Sequence, residues 1–167
     1  MSDLDLESAL PDLEILLVEM VSSVLGEEVL TAVDPLPGAD LATSRLVIHD
    51  LDADAYLGVE VRAEDTLARM LAASMFAVAD PSPDDVLDAI AELGNIAGGN
   101  VKSLLWNSAR LSLPTPSLAV SDPGYPDGTA RVAVRVLGHV VEMVVIPLSG
   151  PDNSTSWPPS LAEPLSA

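Results

Sequence analysis

The sequence predicts an α+β domain, a largely antiparallel sheet with an N-terminal helix and a long central helix packed on one face. Three observations carry this. Apolar residues recur every three and four positions over 11–25 and again from Val86 onward. Residues 44–62 and 130–146 each hold two strand-like runs around a short turn. The element order is helix, strand pair, helix, long helix and final hairpin, which suits helices covering one side of an antiparallel sheet.

Residues 1–10 read as a flexible acidic leader, 11–148 as a single domain and 149–167 as a mobile Pro/Ser-rich tail holding Trp157. In the first helix Leu13, Leu16, Leu17, Met20, Val21, Val24 and Leu25 share a face, and Gly26 supplies the stop. A short strand is expected around Val29–Val33, followed by the loop Asp34-Pro35-Leu36-Pro37-Gly38-Ala39-Asp40. Ser44–Leu51 and Tyr56–Arg62 form a hairpin through Asp52-Ala53-Asp54-Ala55, and a helix over Glu64–Phe76 turns Leu67, Met70, Leu71 and Met75 inward. Leu111–Leu113 and Ser117–Val120 read as a strand interrupted by Pro114 and Pro116, as at a sheet edge. Residues 121–128 are loop. Ala130–Val136 and Val140–Ile146 form the last hairpin, turning at Leu137-Gly138-His139.

The 167 residues suffice for one domain with a proper core. No apolar run approaches the roughly 20 residues of a membrane span. The start, Met1-Ser2-Asp3-Leu4-Asp5, is acidic where an export signal is basic, so a cytoplasmic protein is expected. There is no cysteine, which removes disulfides, thiolate metal sites and cysteine nucleophiles together. With 26 acidic residues against 7 basic ones the net charge is −19, and a phosphate backbone would be repelled. His49 and His139 have no second ligand at metal spacing and read as structural or surface residues. Asp50, Asp52 and Asp54 lack the glycine and closing glutamate of a calcium loop and suit a hairpin turn.

The stretch Ser82–Trp106 is the most informative. Ser82 can cap a helix, Pro83 fits its first position, and Asp85 stands where a capping box closes. At about 100° per residue, Val86, Ile90, Leu93, Ala97, Val101, Leu104 and Ser108 fall on one side. Asp88, Glu92, Asn95, Gly99, Lys102 and Trp106 fall on the other. A merely solvated face would favour Glu, Lys, Ala or Gln. Asn95 and the Gly98-Gly99 pair disfavour the helix, each glycine by roughly 1 kcal/mol. That face gives up stability for access.

Asp88-x-x-x-Glu92-x-x-Asn95, running on into Ile96-Ala97-Gly98-Gly99-Asn100-Val101-Lys102, resembles the helix signature of the CheC/CheX/FliY phosphatases of bacterial chemotaxis. Pro116 stands near the family's proline, a little over twenty residues on, and the element order over 11–147 is that of a CheX-like chain. The resemblance implies dephosphorylation of a CheY-like response regulator. Asn95 then positions the attacking water, Glu92 engages the receiver's active-site lysine and Asp88 assists orientation. Mg²⁺ is expected on the receiver, and no cofactor or metal on this chain. Gly98 and Gly99 either clear space for the receiver's loops or serve close helix packing. Two-site members carry a second motif on the first helix. Here Glu19 is followed by Ser22 in place of the amide and preceded by Ile15 in place of the acid or serine, so one site per chain is expected. Lys102 reads as a solvated side chain or a local salt link, Asn100 as a structural amide, and Trp106 as either a partner contact or a cover for the core. A homodimer through a sheet edge, known in CheX-like proteins, is a further partnership the resemblance allows, though nothing in these strands establishes it. The rival reading is a non-catalytic receiver-binding module of the same fold, related to flagellar switch proteins. A small-ligand sensor has no pocket signature.

Overall fold

The computed structural model describes residues 4–31, 41–118 and 124–150. In chain order the elements are α1 (Leu10–Leu25), β1 (Val29–Thr31), β2 (Leu41–Asp50), β3 (Ala55–Glu64), α2 (Asp65–Phe76), α3 (Pro83–Leu105), β4 (Ala109–Leu111), β5 (Thr115–Ser117), β6 (Ala130–Val136) and β7 (His139–Leu148). Among the described residues the strands make one seven-stranded sheet ordered β1-β6-β7-β3-β2-β4, with β5 also on β2. Every pairing is antiparallel. The expected loop at 34–40, Ala119 to Pro123, and the tail from Pro151 with Trp157 lie outside the described residues.

Both hairpins turn for local reasons. Between β2 and β3, the Asp52 N–H donates to Asp50 Oδ1 at 3.1 Å. Asp54 takes a left-handed φ of 51°, which a short polar side chain tolerates. The three aspartates are thus turn residues. Between β6 and β7, Leu137 and Gly138 both have positive φ, 51° and 82°, as a two-residue type I′ turn requires. The strands around these turns outrun their apolar runs. β2 begins at Leu41 rather than Ser44, because Ala42 and Thr43 pair with Ala63 and Arg62 of β3.

The leader is tied down earlier than its composition suggests. Leu6 is 4 % exposed and Ala9 is buried, both within the main core. Asp5 Oδ1 accepts from the Glu7 N–H at 3.1 Å, so a turn docks onto the core ahead of α1. α3 lies along β2 and β3, α2 beside α3, and α1 over β6. Between helices and sheet sit Leu13, Leu17, Ile48, Val61, Leu71, Leu93 and Met143, all essentially inaccessible.

The opposite side of the sheet is buried by different means. Glu60, Arg62 and Glu142 are each 0 % exposed. Arg45 Nε meets Glu60 Oε2 at 2.9 Å, Arg62 Nε meets Glu60 Oε1 at 3.2 Å, and Arg62 Nη1 meets Glu142 Oε2 at 3.4 Å. Arg131 also pairs with Glu142. Tyr125 lies over this ladder, its hydroxyl donating to Glu60 Oε1 at 2.6 Å, with the Arg131 guanidinium 4.9 Å from its ring centre. Burial raises the Glu60 carboxyl above its ordinary range, against the lowering effect of the Tyr125 hydrogen bond and the two arginines.

Candidate active site

α3 begins with the predicted capping box. Ser82 Oγ accepts from the Asp85 N–H at 3.1 Å, and Asp85 Oδ2 accepts from the Ser82 N–H at 2.8 Å. Two otherwise orphaned donors are satisfied, a cap worth about 1 kcal/mol. Val86, Ile90, Leu93, Ala97 and Val101 are buried, as their spacing predicts. Leu104, expected inward, is 38 % exposed on the last turn of the helix, which ends at Leu105. Trp106 leaves the helix with an extended backbone and packs, half-buried, against the core. Of its two expected roles, it fills that of a core cover.

Asp88, Glu92 and Asn95 are all exposed on the outer face. Among the described residues none of the three makes a side-chain hydrogen bond or ion pair. Glu92 and Asn95 are three residues apart, so their Cα atoms are separated by about 4.5 Å along the axis and the side chains share a face. The carboxylates of Asp88 and Glu92 make this stripe negative. Asn95 adds a neutral group that both donates and accepts. Such a surface suits a partner that brings a cation to Glu92 and a polar reacting group to the amide.

The adjacent glycines part company. Gly99 is half-buried with open space where a Cβ would be. Gly98 is buried, and a Cβ there would stand 2.6 and 2.8 Å from the two terminal methyls of Leu46. Of the two roles open to it, Gly98 therefore fills that of close packing, here of helix on sheet. Gly94, one turn earlier, does the same. A Cβ on it would collide with Ser44 Oγ, lie 2.9 Å from Ser44 Cβ and 3.8 Å from Pro114 Cβ. Ser44 is fully buried, and its hydroxyl has no hydrogen-bond partner. Pro116 pairs with Ser44 across the β2–β5 ladder, and the proline-bearing edge meets α3 at Gly94, through Pro114.

Nothing in the sequence alone marks Ser44 as the partner of Gly94. The spacing of Gly94 and Gly98, four apart, was the available signal, since small residues one turn apart line one stripe of a helix. On α1, Ile15 is 54 % exposed, and Ser22 stands half-buried one turn from the exposed Glu19, so that helix offers an acid without an amide. His49 pairs with Asp54 at 2.7 Å and stacks on Tyr56, while His139 pairs with Glu64 at 3.2 Å. Both histidines are structural. No cluster of three or more His, Asp or Glu suited to a metal occurs among the described residues. Nor is any described helix long and apolar enough to cross a membrane.

An antiparallel sheet with helices packed on it is the fold of the CheX/CheC-like chemotaxis proteins. The model of the family described as chemotaxis phosphatase CheX matches residues 47–134, from within β2 into β6 and including all of α3. The chain belongs to that family. Among solved structures it is similar to a chemotaxis protein from Desulfovibrio vulgaris Hildenborough, with a TM-score of 0.67 at 12 % identity, covering 84 % of this chain and 97 % of that one. It is also similar to the chemotaxis protein CheX from Vibrio vulnificus, with a TM-score of 0.66 at 10 % identity over 81 % and 93 % of the two chains. A chain in the CheX–CheY–BeF₃–Mg²⁺ complex from Borrelia burgdorferi gives 0.61 at 13 % identity over 87 % and 99 %. At such identities these likenesses establish the fold. No curated protein matches the chain.

Proposed function

We propose that this chain hydrolyses the aspartyl phosphate of a phosphorylated CheY-like response regulator. Membership of a chemotaxis phosphatase family supports the reaction class, and the structurally similar Borrelia CheX occurs in a complex with CheY. The observation that carries the reading is the unengaged Glu92–Asn95 pair, one turn apart on the outer face of α3.

Hydrolysis proceeds by in-line attack of water on the phosphoryl group, and its charge is handled by Mg²⁺ and a lysine of the receiver. What a second protein supplies is position. The Asn95 carboxamide accepts from the attacking water and donates toward a phosphoryl oxygen, without placing another negative charge beside the phosphate. Glu92 pairs with the receiver lysine and fixes the register of docking, and Asp88 supports that orientation from the previous turn. Gly99 leaves room for the receiver's loops. The chain needs no metal or cofactor of its own for these roles.

Phosphate release from a phosphorylated receiver tests this directly. Wild-type protein is expected to accelerate decay, and Asn95→Ala to lower that acceleration about 100-fold while still binding. Glu92→Lys is expected to weaken receiver binding by placing like charges face to face. Decay unchanged by wild-type protein, with binding intact, would instead identify a receiver-binding module that does not catalyse.

A further inference from the structure

We propose that Leu113 is a docking residue of this site, an apolar anchor that inserts into the receiver domain beside the point where Asn95 acts. The inference rests on the phosphatase reading and adds to it a contact outside the helix. Leu113 is 87 % exposed, far more than any other large hydrophobic residue among those described.

Its exposure is built by the edge of the sheet. Leu111 pairs with Ile48, and Ser112 continues that register. The Ser112 N–H donates to the Val47 carbonyl at 2.9 Å, and the Val47 N–H donates to Ser112 Oγ at 2.8 Å. Thr115, however, pairs with Arg45. Two residues, Leu113 and Pro114, therefore oppose the single Leu46. This is a β-bulge, a device that re-aims a side chain at a sheet edge. Pro114 takes the inward place against Gly94, the residue before Asn95, and Leu113 is turned out to solvent. The Ser112 hydroxyl hydrogen bonds and the fixed φ of Pro114 hold the protrusion in place on both sides.

The occupant follows from position and charge. Pro114 of the bulge lies against Gly94, the residue before Asn95, so Leu113 stands beside the turn of α3 that carries the amide, where a domain seated on Glu92 and Asn95 would reach it. The surface of the chain is strongly acidic, at a net charge of −19, and like-charged copies of it repel. A receiver domain that offers Glu92 a lysine has no such conflict, and an apolar contact gives it affinity that salt does not screen.

The test compares wild type, Leu113→Ser and Leu113→Met. It uses receiver domains from the same genome, loaded with beryllofluoride and Mg²⁺ for binding and phosphorylated for turnover. Leu113→Ser is expected to weaken binding at least tenfold and to raise KM by the same factor. kcat and the thermal midpoint should stay within twofold and a few degrees of wild type. Leu113→Met is expected to restore binding. Equal receiver affinity for wild type and Leu113→Ser overturns the inference and leaves the phosphatase reading intact. So does a fall in self-association, seen by sedimentation, without a change in receiver affinity. Wild-type protein that neither binds nor dephosphorylates any of the receivers defeats the phosphatase reading itself, and this inference with it.

Discussion

The two faces of α3 are built on opposite economies. The inner face is defined by side chains that are missing. Gly94 and Gly98 bring the helix onto Ser44 and Leu46 of β2 with no room for a methyl group. The outer face is defined by side chains that are present and unengaged, Asp88, Glu92 and Asn95. The difference assigns separate consequences to neighbouring residues. Inner-face changes move the helix, and so act on stability and on every outer residue at once. Outer-face changes leave the packing alone and act on what the helix touches in another molecule.

That separation can be broken at single positions. The largest stability effect is expected at Gly94→Ala, where the new Cβ meets Ser44 Cβ at 2.9 Å. Overpacking of this kind costs about 1–3 kcal/mol, to be read as a lower midpoint in urea unfolding. Ser44→Gly on that background should recover most of the loss, and failure to recover it would show that the two residues are not the point of contact. Gly98→Ala is expected to cost somewhat less, because the leucine methyls it meets sit at the end of a side chain that can turn. Gly99→Ala has the opposite sign. Nothing lies within 4 Å of its Cβ, so the helix should gain about 1 kcal/mol, while receiver binding weakens where the added methyl meets the partner. The smallest effect is that of Asn95→Ala on stability, a gain of a few tenths of a kcal/mol from helix propensity, against its large loss of turnover. A marked destabilisation by Asn95→Ala would mean that the amide holds the fold.

Much of this was legible in the sequence because it is local. Helix caps, heptad-like spacing and turn chemistry depend on residues a few positions apart, and Ser82 with Asp85, the face from Val86 to Val101, and both hairpins stand as their patterns imply. The acid–amide stripe was legible for the same reason. What the sequence concealed depends on partners distant along the chain. Gly98 reads equally as an access or a packing residue until Leu46 is placed against it, and Leu113 reads as an ordinary strand residue until the register of β4 and β5 on β2 reveals the bulge. The far side of the sheet was the most deceptive. Glu60, Arg62 and Glu142 alternate with apolar residues as solvent-facing positions do, yet all three are buried and compensate one another. Alternation identifies two sides of a strand; it does not tell which of them is wet.

The interrupted edge formed by β4 and β5 has one more consequence. A regular edge strand offers a row of unpaired backbone groups on which any extended segment can add, and this is a route to aggregation. Here the row is cut at Leu113–Pro114, offset by a residue at Thr115, and deprived of two N–H donors by Pro114 and Pro116. The margin of the sheet that lies nearest the acid–amide stripe is thereby closed to strand addition. A partner reaching that margin has to be recognised through side chains, which is how a surface for a folded domain, and not for an unfolded peptide, is specified.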